Sequence, residues 1–500
     1  MSAAPQDGIP PALDTGGSRG GEPSPQHPMQ TTRVLIALTS TALLGLAPLR
    51  AQQGDAIDTA SSAAPKSIVD STASAPRAKP GTTAKKEEPV INEPPIVHQH
   101  MRAVDQRGIN VFEPPKEDTV PYTGFRLGWG GSFTQQFQDL THSNTASARM
   151  VDDVNQNQLI GIGAGFNNAV ANLYLNAQMA KGIRVAVTTY ASSRHHDETW
   201  VKEGYVMVDA LPFDNDVLAL LMHFVTVKAG HFEVNYGDQH FRRSDNGNTI
   251  YNPFVGNLIM DAFTTEIGGE VYLRSGGVLM MGGVTGGEVH GQVTAPEKRS
   301  PSYIAKLGYD RQVNQDVRVR LTGSMYYTKK SVNNTLFSGD RAGSRYYDVL
   351  ENTQSSESAQ AWSGAIQPGF RNNVRALVLN PFIKVRGLEL FGNIETARGA
   401  GATEPSNRTW NQYAGDVVYR FLPRDQMYVA ARYNTASGRL VGMTSDVNVK
   451  RVQIAGGWFL MPGVLTKVEY VRQTYGDFPL TDIRNGGKFH GFMVEGAIGF

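Results

Sequence analysis

The sequence predicts an all-β fold: a transmembrane antiparallel β-barrel of about 16 strands, preceded by a disordered N-terminal segment. From Tyr122 onward, apolar and polar residues alternate strictly over segments of ten to fourteen residues, and short connections between these segments alternate with generally longer ones. Period-two alternation is typical of strands with one apolar and one polar face. Strands that cross lipid need about nine to eleven residues, whereas strands of soluble β-sandwiches are nearer five or six.

Composition limits the classes of function. The chain has 500 residues, a net charge of +1 and a mean hydropathy of −0.31. A helical membrane protein would show long apolar runs, and a nucleic-acid binder would show a strong basic excess. The 53 glycines suit tight turns, and the absence of cysteine excludes thiol catalysis and Cys-ligated metal. We therefore expect a β-rich envelope protein that has no nucleic-acid partner.

The N-terminal part divides into three segments by composition. Residues 1–28 lack any periodic pattern and precede a second methionine, so we interpret them as an untranslated or disordered extension. Residues 29–51 contain an apolar run, Val34–Ala47, and a cleavage site, which is the layout of a signal peptide. Residues 52–121 are rich in Ala, Ser, Pro, Lys and Glu and predict a disordered periplasmic linker. The barrel then occupies residues 122–500.

Sixteen alternating segments fill the barrel region. They are 123–137, 170–180, 183–193, 199–210, 223–236, 262–274, 277–289, 301–311, 316–329, 374–386, 388–398, 410–421, 425–436, 448–460, 463–475 and 488–500. Transmembrane barrels have short turns at one rim and long loops at the other. This assignment puts the linker and Phe500 at the short-turn rim, and residues 211–222 form a long inner turn that is expected to hold a small helix.

The chain ends with FHGFMVEGAIGF, residues 489–500, which reads as the closing strand. Phe492, Val494, Ile498 and Phe500 share one face that suits lipid. A terminal aromatic residue resembles the signal by which bacterial outer-membrane barrels are recognised for assembly. The resemblance implies these four residues as the assembly signal, the outer membrane as the location, and outer-membrane lipid and the barrel assembly machinery as partners.

The polar face of the strands carries charges that are predicted to line the lumen. The cations among them include Arg126, Arg184, Arg318, Arg320, Lys384 and Arg432. A water-filled lumen keeps such charges hydrated, and rings of Arg or Lys bias a pore towards anions. The alternative is that they form paired ladders with carboxylates on neighbouring strands, which stabilise the wall without selecting a solute. Both interpretations stay open at this point.

The stretch VKAGHFEVNYGDQHFRRSDNG, Val227–Gly247, resembles the strand and loop of bacterial outer-membrane porins of the broad group that includes the phosphate-selective porins. In sixteen-stranded porins the third loop folds into the lumen. The resemblance therefore implies a pore constriction lined by Arg242, Arg243 and Asp245. The sequence departs from the group in having no identifiable lysine-rich cluster of the kind that phosphate selectivity would need.

The predicted function is passive diffusion of small hydrophilic solutes or ions, with a mild anion preference, through a barrel that is not an enzyme and needs no cofactor or metal. His195, His196 and Asp197 could form a base or metal site, but no serine or further carboxylate is placed to complete one. The alternative is a non-conducting barrel that acts as an enzyme, adhesin or anchor through its outer loops. Porins of this size are often homotrimers, and no feature of the sequence decides the oligomeric state.

Overall fold

The computed structural model describes residues 101–500, except 115, 117–119, 194–198, 212–214, 288–295, 340–344 and 357–363. The predicted extension, the predicted signal peptide and the linker up to residue 100 lie outside the described residues. Within the described part, no helix has the length and apolar character needed to cross a membrane.

Sixteen long antiparallel strands form the wall of the molecule. They are β1 (Arg126–Ser143), β5 (Val170–Ala180), β6 (Ile183–Ser192), β7 (Thr199–Val208), β8 (Val225–Glu233), β9 (Thr265–Ser275), β10 (Val278–Thr285), β11 (Ser302–Gln312), β12 (Val317–Thr328), β13 (Asn373–Val385), β14 (Leu388–Ala400), β15 (Arg408–Phe421), β16 (Met427–Gly438), β17 (Val447–Met461), β18 (Val464–Gly476) and β19 (Lys488–Gly499). The two-residue strands β2 (Met150–Val151), β3 (Val154–Asn155) and β4 (Gly165–Phe166) lie in the connection after β1.

The wall closes on itself without a free edge. Each long strand pairs with its neighbours in the chain, and β1 pairs with β5 on one side and with β19 on the other. Residues 132–143 of β1 lie opposite residues 488–499 of β19. The backbones of Gly131 and Phe500 exchange two hydrogen bonds of 3.0 Å beside this seam. Closure gives each long strand a hydrogen-bonded neighbour on both sides, as a strand surrounded by lipid requires. The predicted fold class is confirmed.

Strand positions agree closely with the sequence pattern. Most predicted ends fall within three residues of the observed ones, and the main difference is that β1 continues to Ser143. The expected helix in the long inner turn is α1, Asp216–Met222, which Asn215 caps by accepting a hydrogen bond from the Leu218 backbone at 3.0 Å. The two-residue turns, such as Lys181-Gly182, lie at one rim, which we call the turn rim. The long connections lie at the other, the loop rim.

Apolar side chains cover the outside of the barrel. Along β13, Leu377 and Leu379 are exposed, whereas Ala376 and Val378, which alternate with them, are buried. The terminal strand follows the same rule, because Phe492, Val494, Ile498 and Phe500 are all at least 39% exposed. A soluble barrel would place its polar face outward, so this inverted arrangement is that of a barrel surrounded by lipid.

The last described part of the predicted 52–121 linker makes close contacts with the barrel. Residues 101–114 and Lys116, which we call the N-terminal strap, lie against the inner face of the barrel. Phe112 is only 1% exposed and packs against Phe382 and Phe391. Glu113 pairs with Lys306 at 3.0 Å and with Arg320 at 2.8 Å. An aromatic ring and a matched carboxylate thus fix a segment whose composition alone predicts disorder.

We predict that Ile454→Arg, a charge placed outward in the middle of β17, lowers the free energy of unfolding by about 2–4 kcal/mol, because an arginine at the bilayer midplane is poorly solvated. Denaturant titration in phospholipid vesicles measures this loss, with Ile454→Leu as the control. Equal stability of the two variants would contradict a lipid-facing position.

Candidate functional site in the barrel lumen

The connection between β8 and β9, residues 234–264, folds into the lumen and crosses it; we call it the inward loop. On one side Asn246 donates to the Ala171 carbonyl of β5 at 2.7 Å. On the other, the Val255 backbone donates to Glu469 of β18 at 2.8 Å, and the Ile259 backbone donates to Asn434 of β16 at 2.7 Å. These bonds satisfy backbone groups that the buried loop cannot pair within a ladder.

A second loop fills the loop-rim side. This long outer loop, residues 329–372, connects β12 to β13 and reaches across to β1 and β18. Tyr346 donates to Glu469 at 2.5 Å, and the Tyr347 backbone donates to Gln138 at 2.9 Å. The Ile366 backbone donates to the Ile259 carbonyl at 2.8 Å, which ties the two loops together. The alternation pattern predicts this segment only as an outer loop. Its apolar residues, such as Leu336 and Phe337, are the sequence feature that could have indicated packing inside the barrel, and both are buried.

The residues proposed for the constriction all lie on the inward loop, but each of them contacts charged or polar groups of the protein. Arg243 forms two hydrogen bonds to Asp261, at 2.9 and 2.6 Å. Asp245 accepts from Lys202 at 2.6 Å and from Arg243 at 3.3 Å. Arg242 contacts Asn110 of the strap and lies 3.5 Å from Glu389. Arg242 and Arg243 are both buried, and Arg243 and Asp245 lie at the edge of the cavity described below.

The same contacts shift the pKa values of groups outside the strands. Burial alone would lower the pKa of Arg243, but Asp261 more than offsets it and holds that pKa well above its usual value. Burial lowers the pKa of Arg242, because Glu389 offsets it only in part. Burial would raise the pKa of Glu113, yet Lys306 and Arg320 hold it well below its usual range. At neutral pH these groups are therefore matched charges.

The six predicted lumen-lining cations lie on the polar side of the wall, and five of them contact carboxylates. The pairs are Arg184 with Asp209, Arg318 with Asp310 at 2.6 Å, Arg320 with Asp238 at 2.7 Å, Lys384 with Glu389 at 3.7 Å, and Arg432 with Asp416 at 2.6 Å. Arg126 begins β1 at the turn rim and bonds Thr123 at 2.5 Å. The geometry favours the paired-ladder interpretation for these five.

A cavity of about 200 Å³, lined by charged and aromatic side chains, lies between the inward loop, the strap and strands β7–β9. Its cations include Lys228 and Arg274 of the wall, and its carboxylates include Glu203 and Glu233. The ammonium of Lys228 lies over the rings of Tyr205 at 4.5 Å and Phe232 at 4.4 Å, and 4.0 Å from Glu270. Its nearest carboxylate contact is thus longer than a hydrogen bond, unlike that of Arg243 with Asp261.

The histidine and aspartate group singled out in the sequence lies outside the described region. It consists of His195, His196 and Asp197, within residues 194–198. Among the residues that are described, no group of three or more His, Cys, Asp or Glu side chains could hold a metal ion.

We predict that Arg243→Ala lowers the free energy of unfolding by about 3–5 kcal/mol, because Asp261 would be left buried without its partner. The matched control is Arg386→Ala, which breaks an ion pair with Asp316 whose side chains are 78% and 51% exposed, and costs at most about 1 kcal/mol. Chemical unfolding in vesicles compares the two. A cost for Arg243→Ala no larger than that of the control would show that the inward loop does not depend on this pair.

Comparison with known proteins finds similarity in structure only. No protein family model and no curated protein matches the sequence. Solved structures that are similar include the anion-selective porin from Comamonas acidovorans, with 11% identity and a TM-score of 0.47, covering 75% of this chain and 100% of that one. DcaP, an outer membrane channel of Acinetobacter baumannii, has 10% identity and a TM-score of 0.43, covering 76% and 99%.

OmpT, an outer membrane protein of Vibrio cholerae solved in a trimer form, has 10% identity and a TM-score of 0.44, covering 75% of this chain and 100% of that one. At these values none of the three assigns a solute to this chain. The even number of antiparallel strands, the full closure, the apolar exterior and the two unequal rims come from the chain itself, and they make it an outer-membrane-type β-barrel.

Proposed function

We propose that this protein is an outer-membrane channel through which small hydrophilic solutes or ions diffuse passively. The observation that carries the proposal is the cavity of about 200 Å³ inside a closed barrel, which charged side chains help to line and which a loop crossing the lumen bounds. A channel of this kind needs a hydrated path and side chains that replace part of a solute's hydration shell. No covalent step is required, and the proposal includes no enzymatic activity.

A mild anion preference follows from the cations around this cavity. Lys228 and Arg274 approach it from the wall, whereas the charges of Arg242 and Arg243 are matched by contacts within the protein. A cation that is not held tightly by a carboxylate attracts a passing anion more than a paired one does. We therefore assign the preference to the wall cations of β8 and β9, with the constriction arginines supporting the shape of the path.

Conductance in a planar bilayer tests the channel. The full mature chain and a chain that begins at Tyr122 are compared, because the second lacks the strap beside the cavity. Stepwise ion currents from at least one of them are expected. A folded, heat-modifiable barrel that gives no current in either form would contradict the proposal.

We predict that Lys228→Gln weakens the anion preference, because it removes the charge above the Tyr205 and Phe232 rings. The reversal potential in a salt gradient should move towards that of a non-selective channel. Lys450→Gln is the matched control, since Lys450 is an exposed residue of β17 and the net charge changes equally. Equal shifts in both variants would mean that net charge, and not the cavity, sets the preference.

A non-conducting barrel is the second candidate, and the packing of the lumen favours it. Lys467 of β18 is fully buried and donates to the Thr249 and Phe254 carbonyls of the inward loop, each at 3.0 Å. Together with the long outer loop, such contacts leave little free volume. Under this hypothesis the outer loops would carry an adhesive or enzymatic role, and the bilayer experiment above separates the two.

A homotrimer is a further part of the proposal. The outer face is hollowed around Gly282, Ala305 and Gly323, where a concavity of about 960 Å³ is lined mostly by apolar side chains. Small residues let a neighbouring barrel approach closely. The mass of the protein in nanodiscs measures the oligomeric state, and a single barrel per disc would contradict this part.

A further inference from the structure

We infer that the N-terminal strap is a removable plug, which closes the lumen at the turn rim until it is withdrawn. The inference rests on the proposed channel function and extends it to regulation. It predicts a low-conductance state with the strap seated and an open state with the strap released.

The strap extends between nearly opposite sides of the barrel. At one end, the Lys116 ammonium donates to the Val225 carbonyl at the start of β8, at 2.6 Å. At the other, the Gln106 backbone donates at 2.8 Å to the carbonyl of Pro462, in the turn between β17 and β18. Strands β9 to β17 separate these points on one side, and β7, β6, β5, β1, β19 and β18 separate them on the other. The strap therefore lies across the opening of the barrel at the turn rim.

The middle of the strap is anchored to the wall by complementary groups. Phe112 fills a cluster with Phe382 of β13 and Phe391 of β14. Glu113 binds Lys306 and Arg320, and Asn110 donates to Glu389 of β14 at 2.6 Å. The strap contributes no strand to the sheet, so its removal breaks none of the ladders that close the barrel.

The strap also forms part of the boundary of the remaining cavity and contacts the inward loop. Arg102, Phe112, Glu113 and Pro114 line the cavity on the side of the turn rim. Arg102 donates to the Phe241 carbonyl at 2.9 Å, and Tyr251 donates to the Ala103 carbonyl at 2.5 Å. Withdrawal would thus remove one wall of the cavity and release contacts that hold the inward loop.

Two variants of the full mature chain test the plug in opposite directions. The release variant combines Phe112→Ala with Glu113→Gln; Asp238 still pairs with Lys306 at 2.8 Å and with Arg320 at 2.7 Å, so each wall cation keeps a carboxylate partner. The lock variant combines Gln106→Cys with Pro462→Cys, at the backbone hydrogen bond described above. The chain has no natural cysteine, so only the designed disulfide can form.

Release should raise the conductance several-fold over the parent chain, and so should deletion of residues 52–116. The oxidised lock should hold the conductance at or below the parent level, and reduction should restore it. Arg107→Gln is the control within the strap, because that side chain is 42% exposed and pairs with Asp105 of the strap itself. If release and deletion both leave the conductance of a conducting protein at the parent level, the plug inference is wrong and the channel function stands.

If no form conducts, the channel proposal is wrong. A second measurement then tests the plug inference without relying on conductance. Thr226→Cys places a thiol at a fully buried position near the turn rim, beside the contact of Arg274 with the strap. Maleimide should label it many times faster after deletion of residues 52–116, with both proteins still heat-modifiable. Equal labelling rates would overturn the plug inference; faster labelling would establish a plug in a barrel of other function.

Discussion

Charge matching inside a sealed wall is the constraint on which this structure depends. A closed barrel in lipid directs its polar residues inward, where space and water are limited, so each inward cation needs a carboxylate or carbonyl partner. Arg432 with Asp416, Arg243 with Asp261 and Lys306 with Asp238 are examples from the wall and the inward loop. The loops enter the lumen because the wall offers them such partners.

The same constraint limits what the interior can select. A guanidinium bound to a carboxylate at hydrogen-bond distance presents almost no net charge to a passing solute, as for Arg243. Selectivity is then left to the width of the path and to the few cations that lack a tight partner, of which Lys228 is the clearest described case. For the proposed channel this leaves only a weak preference, in line with the absence of a lysine-rich cluster from the sequence.

The wall could be predicted from the sequence because its rule is local. Alternation fixes the face of each strand, so Arg184 and Arg320 could be assigned to the interior and Ile498 and Phe500 to the exterior residue by residue. The contents of the lumen follow no such rule. Phe112 meets Phe382 across some 270 residues of chain, and Tyr346 meets Glu469 across more than a hundred. Composition marks the strap as a linker, and only tertiary contacts show that a linker residue is buried.

Hydrogen exchange of the backbone amides of residues 101–114, with the full mature chain in a lipid bilayer, tests most directly the claim that the strap is held inside the lumen by contacts with the wall and the inward loop. We expect amides whose hydrogen bonds lie inside the lumen, such as those of Gly108 and Val111, to exchange far more slowly than the same amides in a free peptide of this segment. Exchange at the free-peptide rate, while the strand amides stay protected, would show that the strap does not occupy the lumen.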